Sequence, residues 1–117
     1  MGKWHYFTDE ETKDLDQEFV ATLERARAIS NVPYIITSGF RLGDADGIDN
    51  GIKNSAHMNH LAVDLRAHDS PTRYAILKGL FAVGFSRIGI NDVHIHVDMD
   101  SSKPQQVFWL EPNQTLS

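Results

Sequence analysis

The sequence predicts an α+β domain with a small antiparallel sheet and flanking helices. Two segments have the apolar spacing of amphipathic helices, and four short segments have the composition or alternation of strands. Their order is helix, strand, loop, strand, helix, strand, strand. The 117 residues and 41% apolar content are enough for one hydrophobic core, so we expect a single domain over residues 1–117.

The first helix is predicted from the segment that begins at Thr8. Glu11 follows three residues later, which is the spacing of a reciprocal capping box at a helix N-terminus. The sequence SNVP predicts the end of this helix, and PYIITSG after it is short and β-branched, as in a strand. Apolar residues recur at helical spacing within the predicted helix: Leu15, Phe19, Leu23 and Ala26.

A long loop is predicted over residues 39–55, which are rich in Gly, Asp and Asn. Loops of this length are uncommon in compact domains and are often functional. Its acidic residues Asp44, Asp46 and Asp49 raise the alternative of a calcium site, but position 55 is Ser where the usual calcium loop requires Glu. We expect instead an acidic lip that attracts a cationic group of a ligand.

The second half of the sequence predicts a strand, then a helix, and then two strands that form a hairpin. HLAVDLRA alternates as in a half-buried strand. The following helix is predicted to have Ser70 as N-cap, Pro71 at its first position and Gly84 after its C-terminus. FSRIGI and VHIHVDM are separated by Asn91 and Asp92, which suit a tight turn.

The composition excludes several classes of function. A formal net charge of −5 is opposite to the clustered Lys and Arg of a nucleic-acid binder. The chain has no cysteine, so a metal site must use His, Asp or Glu. The N-terminal sequence MGKWHYFTDEE lacks a signal-peptide core, and no stretch approaches about 20 apolar residues. We expect a monomer that is made in the cytoplasm and does not insert into membranes.

Candidate functional residues lie in VHIHVDM. Its alternation places His94, His96 and Asp98 on the face opposite the apolar residues, so the two imidazoles point the same way. Same-face neighbours on a strand are about 7 Å apart, so both imidazoles can reach one small cavity although only one need touch a metal. The alternative is a solvated polar face without a ligand.

A second group of ligand-type residues contains His57, His60 and Asp64. His57 precedes the predicted strand, where the chain can turn it back toward Asp64. Three nitrogen or oxygen ligands with one open position are typical of catalytic zinc. Alternatively, Asp64 forms a surface ion pair with Arg66, and His57 is a loop histidine without a ligand role.

Three ordered motifs resemble those of zinc peptidases that cut peptidoglycan cross-link peptides: TSGFR (37–41), SAHMNHLAVDL (55–65) and GINDVHIHVDM (89–99). That family includes D-Ala-D-Ala carboxypeptidases and the L-alanyl-D-glutamate endopeptidases of phage endolysins, and its fold is shared with the hedgehog signalling domain. The resemblance implies Zn²⁺ as cofactor, a peptidoglycan peptide as substrate, and action at the bacterial cell wall after membrane permeabilisation.

The resemblance also implies roles for individual residues. His57, Asp64 and His96 match the three zinc ligands. His94 matches a histidine placed to act on the reacting centre, and Arg41 matches an arginine that faces the substrate.

The sequence departs from the family pattern at three positions, one of which is Ala56, where members often carry Gln. Val93 stands where endolysin-type members often carry an acidic residue, so the acid/base role is expected to fall to His94. His60 replaces a usual glycine and could supply a fourth nitrogen to the metal. Because a fourth ligand would prevent hydrolysis, the alternative function is a non-enzymatic zinc-binding structural or interaction module.

Overall fold

The computed structural model describes residues 2–38 and 60–112. It confirms the α+β class. Within the described ranges no helix is both long and apolar enough to cross a bilayer. The loop predicted at 39–55 lies outside these ranges. In chain order the elements are α1 (Asp9–Thr12), α2 (Gln17–Ser30), β1 (Ile36–Ser38), β2 (Ala62–Arg66), α3 (Ser70–Ala82), β3 (Arg87–Ile90), β4 (His94–Asp98) and β5 (Val107–Leu110).

The five strands form one mixed sheet with the order β1-β2-β4-β3-β5. Neighbouring strands are antiparallel, as predicted, except for β3 and β5, which pair in parallel. Strand β5 was not predicted from the sequence. This strand forms an edge of the sheet and runs parallel to β3.

The hydrophobic core lies on one face of the sheet. Helices α2 and α3 contribute their apolar faces to the same cluster as alternate residues of β2, β3 and β4. Because side chains alternate along a strand, the residues between these core positions point to the opposite face. The fully buried strand and helix residues of the core are Phe19, Val20, Leu23, Ala26, Val63, Leu65, Ile76, Leu80, Ile88, Ile95 and Val97.

The N-terminal helical region is broken into two helices, so the prediction of one continuous helix is wrong. The capping box of Thr8 and Glu11 is present, but α1 ends after one turn. Asp16 then acts as the N-cap of α2 and accepts a hydrogen bond from the backbone N of Phe19 at 3.0 Å. The Asp16 backbone N donates to the carbonyl of His60 at 2.8 Å, which ties this break to the start of β2.

Helix α3 begins one residue earlier than predicted. Its N-cap is Asp69, whose carboxylate accepts from the backbone N of Thr72 at 2.9 Å, so Ser70 is already helical. Asp and Ser are comparably good N-caps, so sequence alone does not separate them. Gly84, predicted to end the helix, has a φ of +93° that suits glycine.

The hairpin between β3 and β4 is confirmed, with residues 91–93 in its connection rather than two residues. The side-chain oxygen of Asn91 accepts from the backbone N of both Val93 and His94 at 2.9 Å. These bonds fix the start of β4. They therefore also set which face of the sheet His94 and His96 occupy.

Candidate metal centre

Four strands each contribute one residue to a row across the sheet face opposite the core. Asp64 on β2 pairs with His96 on β4, His96 pairs with Gly89 on β3, and Gly89 pairs with Trp109 on β5. The sheet register therefore brings together Asp64 and His96, which belong to separate sequence motifs.

Asp64 and His96 form a close, buried pair. Oδ1 of Asp64 lies 3.1 Å from Nδ1 of His96, and each residue is only 6% exposed. Two ligands bound about 2.0–2.2 Å from a tetrahedral zinc ion lie roughly 3.3 Å apart. The pair thus has nearly the separation that zinc ligation requires. Its burial also excludes the alternative of a surface ion pair for Asp64.

The second nitrogen of His96 is held by Asp98. Nε2 of His96 donates to Oδ2 of Asp98 at 2.7 Å. The other oxygen of Asp98 accepts from Nε of Arg87 at 2.7 Å and from the backbone N of Asp100 at 3.1 Å. A carboxylate behind a histidine fixes the ring orientation and tautomer for metal binding. Asp98 therefore directs Nδ1 of His96 toward Asp64.

The electrostatics of this group favour a positively charged imidazole. Burial alone would lower the pKa of His96, but its hydrogen bonds to Asp64 and Asp98 outweigh burial and raise the pKa to about 9. Burial would raise the pKa of Asp98, but the bonds from His96 and Arg87 keep that pKa below its usual value. A cation at Nδ1, whether a proton or a metal, is thus stabilised by two carboxylates.

Glu111 is a third ligand-type residue of this cluster and was not predicted from the sequence. Single ligand-type atoms of Asp64, His96 and Glu111 lie within 4.8 Å of one another, which is the only such group in residues 2–38 and 60–112. Glu111 immediately follows β5. The strand-like run VFWL before it was the available signal, since aromatic and β-branched residues favour strands.

Glu111 is also the partner of His94. Nε2 of His94 lies 2.8 Å from Oε1 of Glu111. This hydrogen bond raises the pKa of His94 above its usual value, although partial burial opposes the shift. Burial would raise the pKa of Glu111, but the bond from His94 holds that pKa below its usual value. The pair is thus stabilised as an imidazolium beside a carboxylate.

Gly89 makes room for the C-terminal side of the site. A Cβ at this position would lie 2.5 Å from Nε1 of Trp109 and 2.8 Å from Cγ of Glu111. Both distances are far shorter than van der Waals contact. Only glycine at this position allows Trp109 and Glu111 to cross the β3 backbone and approach the row.

Not every predicted site residue lies within the described ranges. Arg41 and His57 lie outside the described residues, so their roles stay predictions. Nδ1 of His60 lies 2.5 Å from the carbonyl oxygen of Asp14, and His60 is not part of the ligand-type cluster found among the described residues. His94, His96 and Asp64 lie on one face of the sheet, as the alternation predicted.

A cleft of about 470 Å³ opens beside the cluster. Its volume falls within the range of about 300–1,000 Å³ that is typical of small-ligand sites. Glu111 belongs both to this cleft and to the ligand-type cluster. The residues that line the cleft are Arg73, Ile90, Asn91, Asp92, Leu110 and Glu111.

The sequence model of the family described as peptidase M15 matches residues 3–100. The chain belongs to the peptidase M15 family. The resemblance to D-Ala-D-Ala carboxypeptidase-like zinc peptidases is thereby confirmed. No curated protein and no solved structure shows significant similarity to the chain.

The candidate metal ligands on the sheet agree with membership in the M15 family. M15 peptidases are typically zinc-dependent, and a buried carboxylate beside an oriented imidazole suits that metal. The matched region includes Asp64, His94 and His96 but ends before Trp109 and Glu111. The family match therefore does not account for the carboxylate contributed after β5.

Proposed function

We propose that this M15 peptidase is a zinc-dependent enzyme that hydrolyses peptide bonds in peptidoglycan stem peptides. The observation that carries the proposal is the Asp64–His96 pair. Two side chains from separate motifs stand opposite each other on neighbouring strands, and Asp98 holds the imidazole from behind. This arrangement supports a metal site rather than a solvated polar face.

The residues that would hold the metal are His57, Asp64 and His96. Asp64 and Nδ1 of His96 offer an oxygen and a nitrogen at a suitable separation. When bound, Zn²⁺ supplies Lewis-acid polarisation of the scissile carbonyl and makes water ionisable near neutral pH. His57 completes the set by its match to the family motif.

His94 and Arg41 are proposed to act on the substrate. The contact with Glu111 favours the charged form of His94, which suits it to stabilise negative charge as it develops on the carbonyl oxygen. Arg41 would bind a substrate carboxylate with its planar guanidinium group. Both roles follow from the motif match, and the Glu111 contact adds support for His94.

The substrate bond is proposed to be L-Ala-D-Glu or D-Ala-D-Ala within the stem peptide. We place the protein in a phage or prophage lysis system, as an endolysin that reaches the wall once the membrane has been permeabilised. The motif resemblance supports this biological setting, and the acidic composition of residues 39–55 suits a cationic diamino-acid side chain.

Mass spectrometry of muropeptides tests both the activity and the bond. Purified sacculi are digested with the zinc-loaded protein, with chelator-treated protein and with Asp64→Asn. New amino termini at D-Glu indicate endopeptidase activity, whereas free D-Ala indicates carboxypeptidase activity. If zinc-loaded protein leaves sacculi and isolated stem peptides as intact as the chelated sample does, the proposal is wrong.

One observation favours a second function, a non-enzymatic zinc-binding module. Glu111 could join His57, Asp64 and His96 as a fourth protein ligand. Four protein ligands are typical of structural zinc, which leaves no position for water. X-ray absorption spectroscopy of the zinc-loaded protein separates the two cases, because a hydrolytic site retains a water ligand and a structural site does not.

A further inference from the structure

We propose that Glu111 is the carboxylate that accepts and returns the proton during peptide hydrolysis, acting beside the metal ligands rather than as one of them. This inference rests on the peptidase function proposed above. Glu111 lies outside the residues matched by the family, so the assignment rests on contacts within this chain.

The path of β5 places Glu111 at the site. Trp109 stands opposite Gly89 in the sheet register, and Gly89 stands opposite His96. The rings of Trp109 and His96 have centroids 5.5 Å apart. Because Gly89 has no side chain, the Glu111 side chain passes close over the β3 backbone. Packing thus fixes Glu111 beside the ligand pair.

Two donors orient the carboxylate of Glu111. Nε2 of His94 donates to Oε1 at 2.8 Å, and Nε1 of Trp109 donates to Oε2 at 3.0 Å. Each carboxylate oxygen can accept two hydrogen bonds, so each keeps one acceptor position after these contacts. The carboxylate is therefore held in one orientation and can still accept a hydrogen bond from a water molecule.

The Glu111 side chain is more exposed to solvent than the side chains of the two candidate metal ligands. Its side chain is 21% exposed, against 8% for the side chains of both Asp64 and His96. Glu111 also forms part of the wall of the 470 Å³ cleft, whereas Asp64 and His96 do not line it. Glu111 therefore belongs both to the ligand-type cluster and to the wall of the open cleft.

The proton balance of the step needs no additional reactant. The oxygen of a water molecule bonds to the carbonyl carbon while one of its protons passes to Glu111. The carbon–nitrogen bond then breaks, and the same proton passes from Glu111 to the leaving amine nitrogen. Both products are formed, and the carboxylate is regenerated. General acid–base residues of this kind typically contribute about 10²–10⁴-fold to the rate.

The test compares Glu111→Gln with the wild type and with Glu10→Gln, a matched change at an exposed position. Zinc affinity is measured by chelator competition and folding by thermal melting. Hydrolysis of isolated stem peptides is measured as kcat and KM. For Glu111→Gln we expect kcat to fall about 10²–10⁴-fold, with KM and zinc affinity within about threefold of wild type.

Other outcomes overturn the assignment. A loss of zinc affinity of about tenfold or more in a folded Glu111→Gln protein makes Glu111 a ligand, and kcat within about threefold of wild type removes any chemical role. If that variant does not fold, Glu111→Asp decides, because a displaced carboxylate must reduce kcat. An inactive wild type refutes the peptidase function itself and this role with it, whereas an active Glu111→Gln refutes only this role.

Discussion

Replacing Asp98 by Asn should destabilise the fold and weaken zinc binding together. Asp98 is 1% exposed and accepts from three donors: Nε2 of His96, Nε of Arg87 and the backbone N of Asp100. An amide keeps one acceptor oxygen but turns an NH₂ group toward one of these donors. The change therefore removes a buried charge and also creates a donor–donor conflict.

The expected cost can be worked out from these contacts. Removing one partner of a buried ion pair typically costs about 3–5 kcal/mol. Arg87 retains its hydrogen bond to the Pro104 carbonyl and its position over the Trp109 ring, so we expect about 3 kcal/mol. Loss of the carboxylate behind His96 should separately weaken zinc binding about 10–100-fold.

The assay is denaturant unfolding of the metal-free protein, followed by zinc titration against a competing chelator. Asp14→Asn is the matched control, because Asp14 is exposed and should change the free energy of unfolding by less than about 0.5 kcal/mol. A loss below about 1 kcal/mol for Asp98→Asn, with unchanged zinc affinity, would refute the orienting role of Asp98.

Four further predictions follow from the same contacts. The pKa of His96 is raised to about 9 in the folded protein, against about 6.5 in the unfolded chain. The positive charge of His96 therefore stabilises the fold fully below pH 6.5, and this contribution is lost as the pH rises through 9. Metal-free protein should melt at a lower temperature at pH 10 than at pH 6.5. Zinc must displace that proton, so its apparent affinity should rise about tenfold per pH unit from 6 to 8 in chelator competition, and a flat profile would contradict this. Gly89→Ala should reduce kcat at least about tenfold by displacing Trp109 and Glu111 while zinc still binds, and wild-type kcat would show that this close approach is unimportant. His94→Gln should lower kcat about 10²–10³-fold with zinc affinity retained, and an equal loss in zinc affinity would instead identify His94 as a ligand.

Local patterns predicted the elements whose signals lie within a few residues. Alternation in VHIHVDM placed Ile95 and Val97 in the core and the histidines on the other face, as the structure has them. The capping box at Thr8 was also correct. The break before Asp16 was not predicted, because Asp16 competes as a second N-cap and is tied to His60, which is distant in the sequence.

The candidate site was only partly predictable for a similar reason. Alternation gives the face of each strand but not the register between strands, and the register is what sets Asp64 opposite His96. Glu111 depends on the parallel pairing of the short edge strand β5 with β3 and on the space above Gly89. Neither condition leaves a pattern within the nearby sequence.

The central claim is that Asp64 and His96 hold one zinc ion. Zinc content after gel filtration, together with chelator competition, tests it on the wild type, Asp64→Asn and His96→Gln, with circular dichroism to check folding. We predict one zinc per wild-type chain and binding weaker by about 100-fold or more in each folded variant. A wild type that retains no zinc, or variants that bind it as tightly as the wild type does, would contradict the account.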